Sequence, residues 1–100
     1  MSSPDYRLVL SSDAEEDIVG ILRYTAEQWG ERQVEVYRGK LSGAFKALQA
    51  NPSSGHVSDE LADTHRLYRV GSHIIVYRVR GYIVEVVRIL HKRMSLPLNV

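Results

Sequence analysis

The hydrophobic pattern in the last third of the chain predicts three strands separated by tight turns. Residues 65–70, 73–79 and 82–90 are rich in β-branched and aromatic side chains, and the pairs Gly71-Ser72 and Arg80-Gly81 separate them. The first pair suits a two-residue type II′ turn. Residues 82–90 carry apolar side chains on both alternating faces, which is typical of a strand covered on both sides. We therefore expect a β-meander in which residues 82–90 form a central strand.

Two amphipathic helices precede the meander. Ser12 and Glu15 form a capping box that predicts the start of the first helix, Gly30 predicts its end, and Asn51-Pro52 ends the second helix. The apolar stripes are Ile18, Ile21, Leu22, Thr25 and Trp29 in the first helix, and Val34, Tyr37, Leu41, Ala44, Phe45 and Leu48 in the second. With almost no linker, the helices must fold back as an antiparallel hairpin, and we interpret Trp29 as a core residue near the join. Residues 6–10 predict a short first strand, and residues 51–63 a loop.

Both faces of the meander are apolar, but a helical hairpin can cover only one of them. With two-residue turns, one face receives Tyr68, Ile75, Tyr77, Val84, Val86 and Leu90. The other face receives Leu67, Ile74, Val76, Val87 and Ile89, together with Arg69, Arg78 and Glu85. A second apolar face is not stable in water, so either a partner covers it or the N-terminal segment and residues 96–98 fold over it.

Composition limits the class of protein. One hundred residues predict a single domain, 1–100, and the absence of cysteine fits a reducing compartment. There is neither an apolar run of membrane-spanning length nor a signal-peptide pattern, so we expect a cytoplasmic location and no membrane partner. Residues 1–63 hold six Lys/Arg against eleven Asp/Glu, whereas residues 64–100 hold seven against one. The basic part indicates either an anionic partner or neutralisation by the acidic part within the fold.

The candidate chemistry is cationic. His56, His65, His73 and His91 lack the spacing of a metal site, and no Gly-rich phosphate loop is present, so we expect neither a metal nor a cofactor. The cationic side chains are Arg66, Arg69, Arg78, Arg80, Arg88, His91, Lys92 and Arg93. Arginine and histidine on a sheet could hold a phosphodiester and move protons, as in a metal-independent ribonuclease. The alternative is a docking surface, which composition favours.

Several segments together resemble the ParE branch of the RelE/ParE superfamily of bacterial toxin–antitoxin toxins. They are Tyr6-Arg7-Leu8, Ala14 with Asp17-Ile18, Tyr24 leading to Trp29-Gly30, Tyr37, Leu41, Asn51-Pro52 with Gly55, residues 71–79, and Val86 through Met94. The resemblance spans about 90 of the 100 positions in the expected order. It implies an α+β fold of order β-α-α-β-β-β, with an antiparallel helical hairpin packed on a mainly antiparallel four-stranded sheet.

The resemblance also implies a function. A toxin of this branch poisons DNA gyrase by stabilising the cleaved gyrase–DNA complex, which would assign toxicity to Arg88, His91, Lys92, Arg93 and Met94. A ParD-type antitoxin would dock an acidic and apolar C-terminal segment at Trp29, Tyr37, Leu41, Arg69, Ile74 and Arg78. The expected assembly is a toxin–antitoxin hetero-oligomer, with neither enzymatic activity nor sequence-specific DNA binding by this chain alone.

Two alternatives stay open. RelE-like relatives are ribosome-dependent mRNA endoribonucleases, and Arg66, Arg88 and His91 could form such a catalytic set. Against this, the loop before the meander has no lysine or arginine, and the offset of the histidine from the strand follows the ParE pattern. The other alternative is an inactive module that only titrates its antitoxin.

Overall fold

The computed structural model describes residues 6–59, 61 and 64–93. The elements are β1 (Arg7–Leu10), α1 (Ser12–Trp29), α2 (Glu31–Ala50), a 3-10 helix (Pro52–Ser54), β2 (His65–Val70), β3 (His73–Arg80) and β4 (Ile83–His91). This confirms the predicted α+β class and the order β-α-α-β-β-β. Among the described residues, neither helix combines the length and the apolar composition that a membrane span requires.

The four strands form one sheet of order β1-β4-β3-β2, so β4 is central, as its two apolar faces predict. Strands β2, β3 and β4 form an antiparallel meander. Strand β1 pairs in parallel with β4, from Arg7 opposite Ile83 to Leu10 opposite Val86. The sheet is therefore mixed but mainly antiparallel, and β1 and β4 meet although they lie far apart in the chain.

Helix α1 begins one residue earlier than the capping box predicts. The N-cap is Ser11, whose Oγ accepts a hydrogen bond from the Ala14 amide at 3.0 Å, so the assignment of the cap to Ser12 was wrong. The same Oγ donates to the Val87 carbonyl oxygen at 2.7 Å. Ser11 caps the helix because it directly follows β1, where its side chain also reaches the central strand.

The helical hairpin turns at Gly30, which has a φ of +88°. Helix α2 buries Val34, Leu41, Ala44 and Leu48, which confirms its predicted stripe. Burial along the stripe of α1 decreases toward its end: Ala14 is fully buried, Ile18 and Ile21 are half-buried, and Trp29 is 72% exposed. The interpretation of Trp29 as core was therefore wrong, because the last turn of α1 is exposed.

A β-bulge in β4 changes which side chains share a face. Val76 pairs with Arg88 but Tyr77 pairs with Val86, so Val87 is an extra residue on β4. Beyond the bulge the alternation is reversed, and the predicted faces of Ile89 and Leu90 were wrong. The helix-side core holds Ala14, Ala44, Leu48, Ile75, Tyr77, Val84, Val86 and Ile89. The opposite cluster holds Leu61, Leu67, Ile74, Val76 and Leu90.

The segment between α2 and β2 has more structure than the predicted loop. His56 and Leu67 exchange two backbone hydrogen bonds of 2.8 and 2.9 Å, and the Tyr77 hydroxyl donates to the Pro52 oxygen at 2.6 Å. Leu61 is buried against the sheet face that the helices leave open. Part of that face is thus covered by the chain itself, whereas residues 96–98 lie outside the described residues.

The two hairpin turns differ in how well the sequence predicts them. Gly71 has a φ of +56° and Ser72 has a negative φ, as a type II′ turn requires. The second turn is Gly81-Tyr82 rather than Arg80-Gly81, since Arg80 pairs with Ile83 across it. This shifts the start of β4 from Tyr82 to Ile83.

Candidate functional site

A groove of about 1150 Å³ lies between the helical hairpin and the ends of β3 and β4. Its lining residues are Glu16, Asp17, Gly20, Ile21, Tyr24, Thr25, Trp29, Gln33, Tyr37, Lys40, Ser72, His73, Ile89, His91 and Arg93. Tyr24 and Trp29 are exposed aromatic side chains on α1, while His73, His91 and Arg93 come from the sheet. The groove therefore joins an aromatic helical wall to a cationic strand end.

Arg88 is held beside the groove by Asp17. Its Nε and Nη2 donate to the two carboxylate oxygens of Asp17 at 2.8 and 3.0 Å. The Ile89 amide also donates to Asp17 Oδ2, at 2.8 Å. The hydrogen bonding of Arg88 to the Asp17 carboxylate raises the pKa of the Arg88 guanidinium. Arg88 was predicted as a toxicity residue, but in this structure its charge is paired with Asp17.

Three aromatic rings from three elements lie next to each other in the lining of the groove. The Tyr37 hydroxyl donates to the Val70 oxygen at 3.1 Å and contacts His73 Nδ1. The His73 ring lies edge-on to both Tyr37 and His91, with ring centroids 5.3 Å apart in each pair. Burial raises the pKa of Tyr37. Burial and then the charge of His91 lower the pKa of His73.

A basic turn follows β4. The Lys92 amide donates to the Ser72 oxygen at 2.8 Å, and the Arg93 amide donates to His91 Nδ1 at 3.1 Å. Both cationic side chains are exposed, whereas His91 is half-buried. We call Lys92 and Arg93 the basic tip. Met94, the remaining predicted toxicity residue, lies outside the described residues.

The residues predicted to contact an antitoxin do not form one surface. Trp29 and Tyr37 line the groove, and Arg69 is exposed on β2. The Nε of Arg78 pairs with Glu85 Oε1 at 2.5 Å on the other side of the sheet. The remaining two are buried: Leu41 is 3% exposed, and Ile74 is 5% exposed in the cluster that contains Leu61.

The three residues of the ribonuclease alternative are not brought together. Arg66 donates to the Gly55 oxygen at 3.2 Å and lines a separate, smaller pocket beside Pro52. His91 lies opposite His73, whose partner in β2 is Val70. The strand from Arg66 to Val70 is about 13 Å long, so the backbone places Arg66 far along the ladder from His91.

Two groove residues, His73 and Lys40, were not selected from the sequence. His73 directly follows the type II′ turn and faces His91 across the β3–β4 ladder. The correct Gly81-Tyr82 turn alone would have placed His73 opposite Leu90, and it is the extra residue at Val87 that brings His91 opposite His73. Among the described residues, no group of three or more histidine, aspartate or glutamate side chains has the geometry of a metal site.

The fold matches that of a solved toxin–antitoxin structure. A chain of the chromosomal ParDE TA system from P. aeruginosa superposes with a TM-score of 0.76, covering 89% of this chain and 98% of that chain at 20% identity. At this level of identity the match shows the fold alone.

Sequence comparison identifies the family. The model of the ParE toxin of the type II toxin–antitoxin system parDE matches residues 8–96. Toxin ParE1 of Mycobacterium tuberculosis is 37% identical over 94 residues, which are 93% of this chain and 96% of the relative. Toxin ParE of Escherichia coli is 37% identical over 89 residues, 88% of this chain and 86% of the relative. The chain belongs to the ParE family of type II toxins.

Proposed function

We propose that this chain poisons DNA gyrase by stabilising the cleaved gyrase–DNA complex, and that a ParD-type antitoxin holds it inactive. The observation that carries the proposal is the basic tip: a ParE family member ends its central strand in two exposed cations beside an open groove. Gyrase makes the DNA break, so the toxin needs no bond-making residue and is not itself an enzyme. Its action would take place in the cytoplasm.

The gyrase contact is proposed for the segment from Arg88 to Arg93. Within it, Lys92 and Arg93 project their charges into solvent, whereas Arg88 is engaged by Asp17. An exposed cation can form a charge-assisted hydrogen bond with a partner without first breaking an internal ion pair. We therefore assign the direct contacts to Lys92 and Arg93, and a supporting role to Arg88.

The antitoxin contact is proposed for the aromatic wall of the groove and for the exposed arginines of the sheet. Trp29, Tyr24 and Tyr37 line the groove, and large aromatic side chains are frequent anchors of protein interfaces. Arg69 and Arg80 are exposed, which suits an acidic and apolar segment. Opposite charge around an apolar anchor predicts tight binding that weakens only in part as salt is added.

The test of gyrase poisoning uses purified protein with gyrase, ATP and supercoiled plasmid, followed by protease treatment. We expect linear DNA, and we expect it to disappear when the antitoxin is added first. Arg93→Ala should reduce the linear product and retain antitoxin binding. Arg32→Ala is the matched control, because Arg32 is an exposed arginine on α2 outside the groove. No linear DNA from a folded protein that still binds its antitoxin would contradict the proposal.

A further inference from the structure

His91 interacts with the basic tip through its ring nitrogen rather than through its charge. A backbone amide can only donate, so the bond from the Arg93 amide requires a lone pair on His91 Nδ1. The neutral ring must then carry its proton on Nε2. This contact spans two residues, from side chain i to amide i+2, as in the turns that asparagine and aspartate form with their own backbone.

The other side of His91 is fixed by the sheet and by α2. The Tyr37 hydroxyl donates to Val70 O at 3.1 Å and also contacts His73 Nδ1. His73 in turn packs edge-on against His91. The Lys92 amide is bound to Ser72 O in the adjacent turn. Among the described residues, the Lys92 amide is thus held by the β2–β3 turn and the His91 ring packs on β3, whereas the Arg93 amide is held by His91.

We propose that His91 is a positioning residue, which in its neutral form holds the Arg93 backbone through Nδ1 and so sets the direction of the basic tip, without touching the target itself. The inference rests on the proposed gyrase contact of the tip. Protonation places a second N–H on Nδ1, which removes the acceptor and releases the Arg93 amide. Poisoning activity should therefore fall as pH decreases through the range in which imidazoles titrate.

The charged and titratable groups around His91 come from every element that lines this part of the groove. They are Glu16 and Asp17 on α1, Tyr37 and Lys40 on α2, His73 on β3, and Arg88 and Arg93 on its own segment. Asp17 is already paired with Arg88.

Two substitutions separate positioning from direct contact. His91→Asn keeps an acceptor at the position of Nδ1, because asparagine makes the same i to i+2 bond. His91→Gln moves the acceptor to the position of Nε2, where it would serve a contact with the target but cannot reach the Arg93 amide. We expect gyrase poisoning close to wild type for His91→Asn and about three- to tenfold weaker for His91→Gln, the effect of one hydrogen bond.

The pH dependence supplies a second readout. As the pH is lowered, the potency of the wild type relative to His91→Asn should fall, since only the wild type can protonate at this position. Taking the ratio within one buffer cancels the pH dependence of gyrase itself. Full activity of His91→Gln, equal losses in both variants, or a ratio that does not change with pH would overturn the proposal.

A measurement on the free toxin separates this proposal from that of gyrase poisoning. In ¹⁵N-labelled wild-type protein, hydrogen exchange of the Arg93 amide should become faster, relative to its intrinsic rate, as the histidine protonates. The Lys92 amide is the internal control, because its acceptor is a carbonyl oxygen that does not titrate. Unchanged Arg93 protection would refute the positioning role even if gyrase is poisoned. Loss of protection with no gyrase effect would refute only the proposed target.

Discussion

At the scale of single residues, Asp17 makes the main polar link between the helices and the sheet. Pairing of β1 with β4 ends at Leu10 and Val86, but β4 continues to His91. Beyond that point Ser11 Oγ donates to the Val87 oxygen, and Asp17 accepts from the Ile89 amide. Side chains of the α1 start therefore satisfy backbone groups that a longer β1 would have paired.

Substitution of Asp17 tests this link. Asp17→Ala removes two hydrogen bonds from Arg88 and one from the Ile89 amide, and it leaves a partly buried guanidinium unpaired. We expect a loss of about 2–4 kcal/mol in the free energy of unfolding, measured by urea denaturation. The control is Glu35→Ala, which removes the exposed pair with Arg38 and should cost less than about 0.5 kcal/mol. Similar losses in the two variants would contradict the assigned role.

Substitution of Trp29 tests whether the exposed aromatic is an anchor. Trp29→Ala should change the free energy of unfolding by less than about 0.5 kcal/mol, because surface substitutions are usually that small. A buried tryptophan would cost about 3–5 kcal/mol. Antitoxin affinity should fall by more than about tenfold, measured by calorimetry. Val19→Ala, an exposed apolar residue of the same helix outside the groove, should leave affinity unchanged, and equal effects would argue against an anchor at Trp29.

At the scale of elements, periodicity predicts both α-helices and all four strands, but neither the 3-10 helix nor the face of each side chain near the end of β4. The stripe of α2 and the strand assignments depend on local sequence, which is why they are confirmed. At the bulge, the Val87 oxygen and the Ile89 amide are bound by Ser11 and Asp17, which come from the other end of the chain. A period-2 pattern contains no signal for such distant contacts. The candidate site was predicted less well for the same reason, since His73 and His91 meet only through the register of the sheet.

The two glycine turns of the meander give a matched pair of variants. Gly71 and Gly81 have φ values of +56° and +58°, but a Cβ at Gly71 would lie 2.8 Å from the Tyr37 ring, whereas Gly81 has open space around it. Gly81→Ala should cost about 1–2 kcal/mol from the backbone conformation alone. Gly71→Ala should cost more, and its difference from Gly81→Ala in urea denaturation measures the packing of Tyr37. Equal losses would mean that the Tyr37 ring moves aside freely.

At the scale of the whole molecule, the acidic and basic parts of the chain are joined only in part. Asp17 on α1 neutralises Arg88 on β4, which is a bond between the two parts. Arg78 and Arg80 instead pair with Glu85 within the basic part. Arg69, Lys92 and Arg93 remain exposed. The acidic part therefore neutralises Arg88, whereas an anionic partner for the exposed cations stays a prediction.

Two histidines should make stability depend on pH. Burial lowers the pKa of His65 and of His73, so the unfolded chain binds protons more readily than the folded one. Their contribution to the free energy of unfolding is complete above the ordinary imidazole pKa of about 6.5. It is lost as pH falls from there through the lower pKa values of the folded state. The free energy of unfolding should thus decrease on acidification below about pH 6.5.

Urea denaturation across that range provides the measurement. The double variant His65→Gln/His73→Gln should show a smaller decrease on acidification than the wild type. The control is His56→Gln, since His56 is an exposed histidine before β2. If His56→Gln reduces the decrease in the free energy of unfolding as much as the double variant does, the buried histidines are not the source of the pH dependence.

The central position of β4 has a consequence for synthesis of the protein. β4 is the sheet neighbour of both β1 and β3, yet it follows all the other described elements in the chain. While the ribosome is still translating this strand, β1 has no pairing partner and the helical hairpin has no complete sheet to pack on. The nascent chain can therefore complete its fold only after β4 has emerged. The segment proposed to poison gyrase becomes ordered in the same step, so an incomplete translation product that ends before β4 would be both unfolded and harmless.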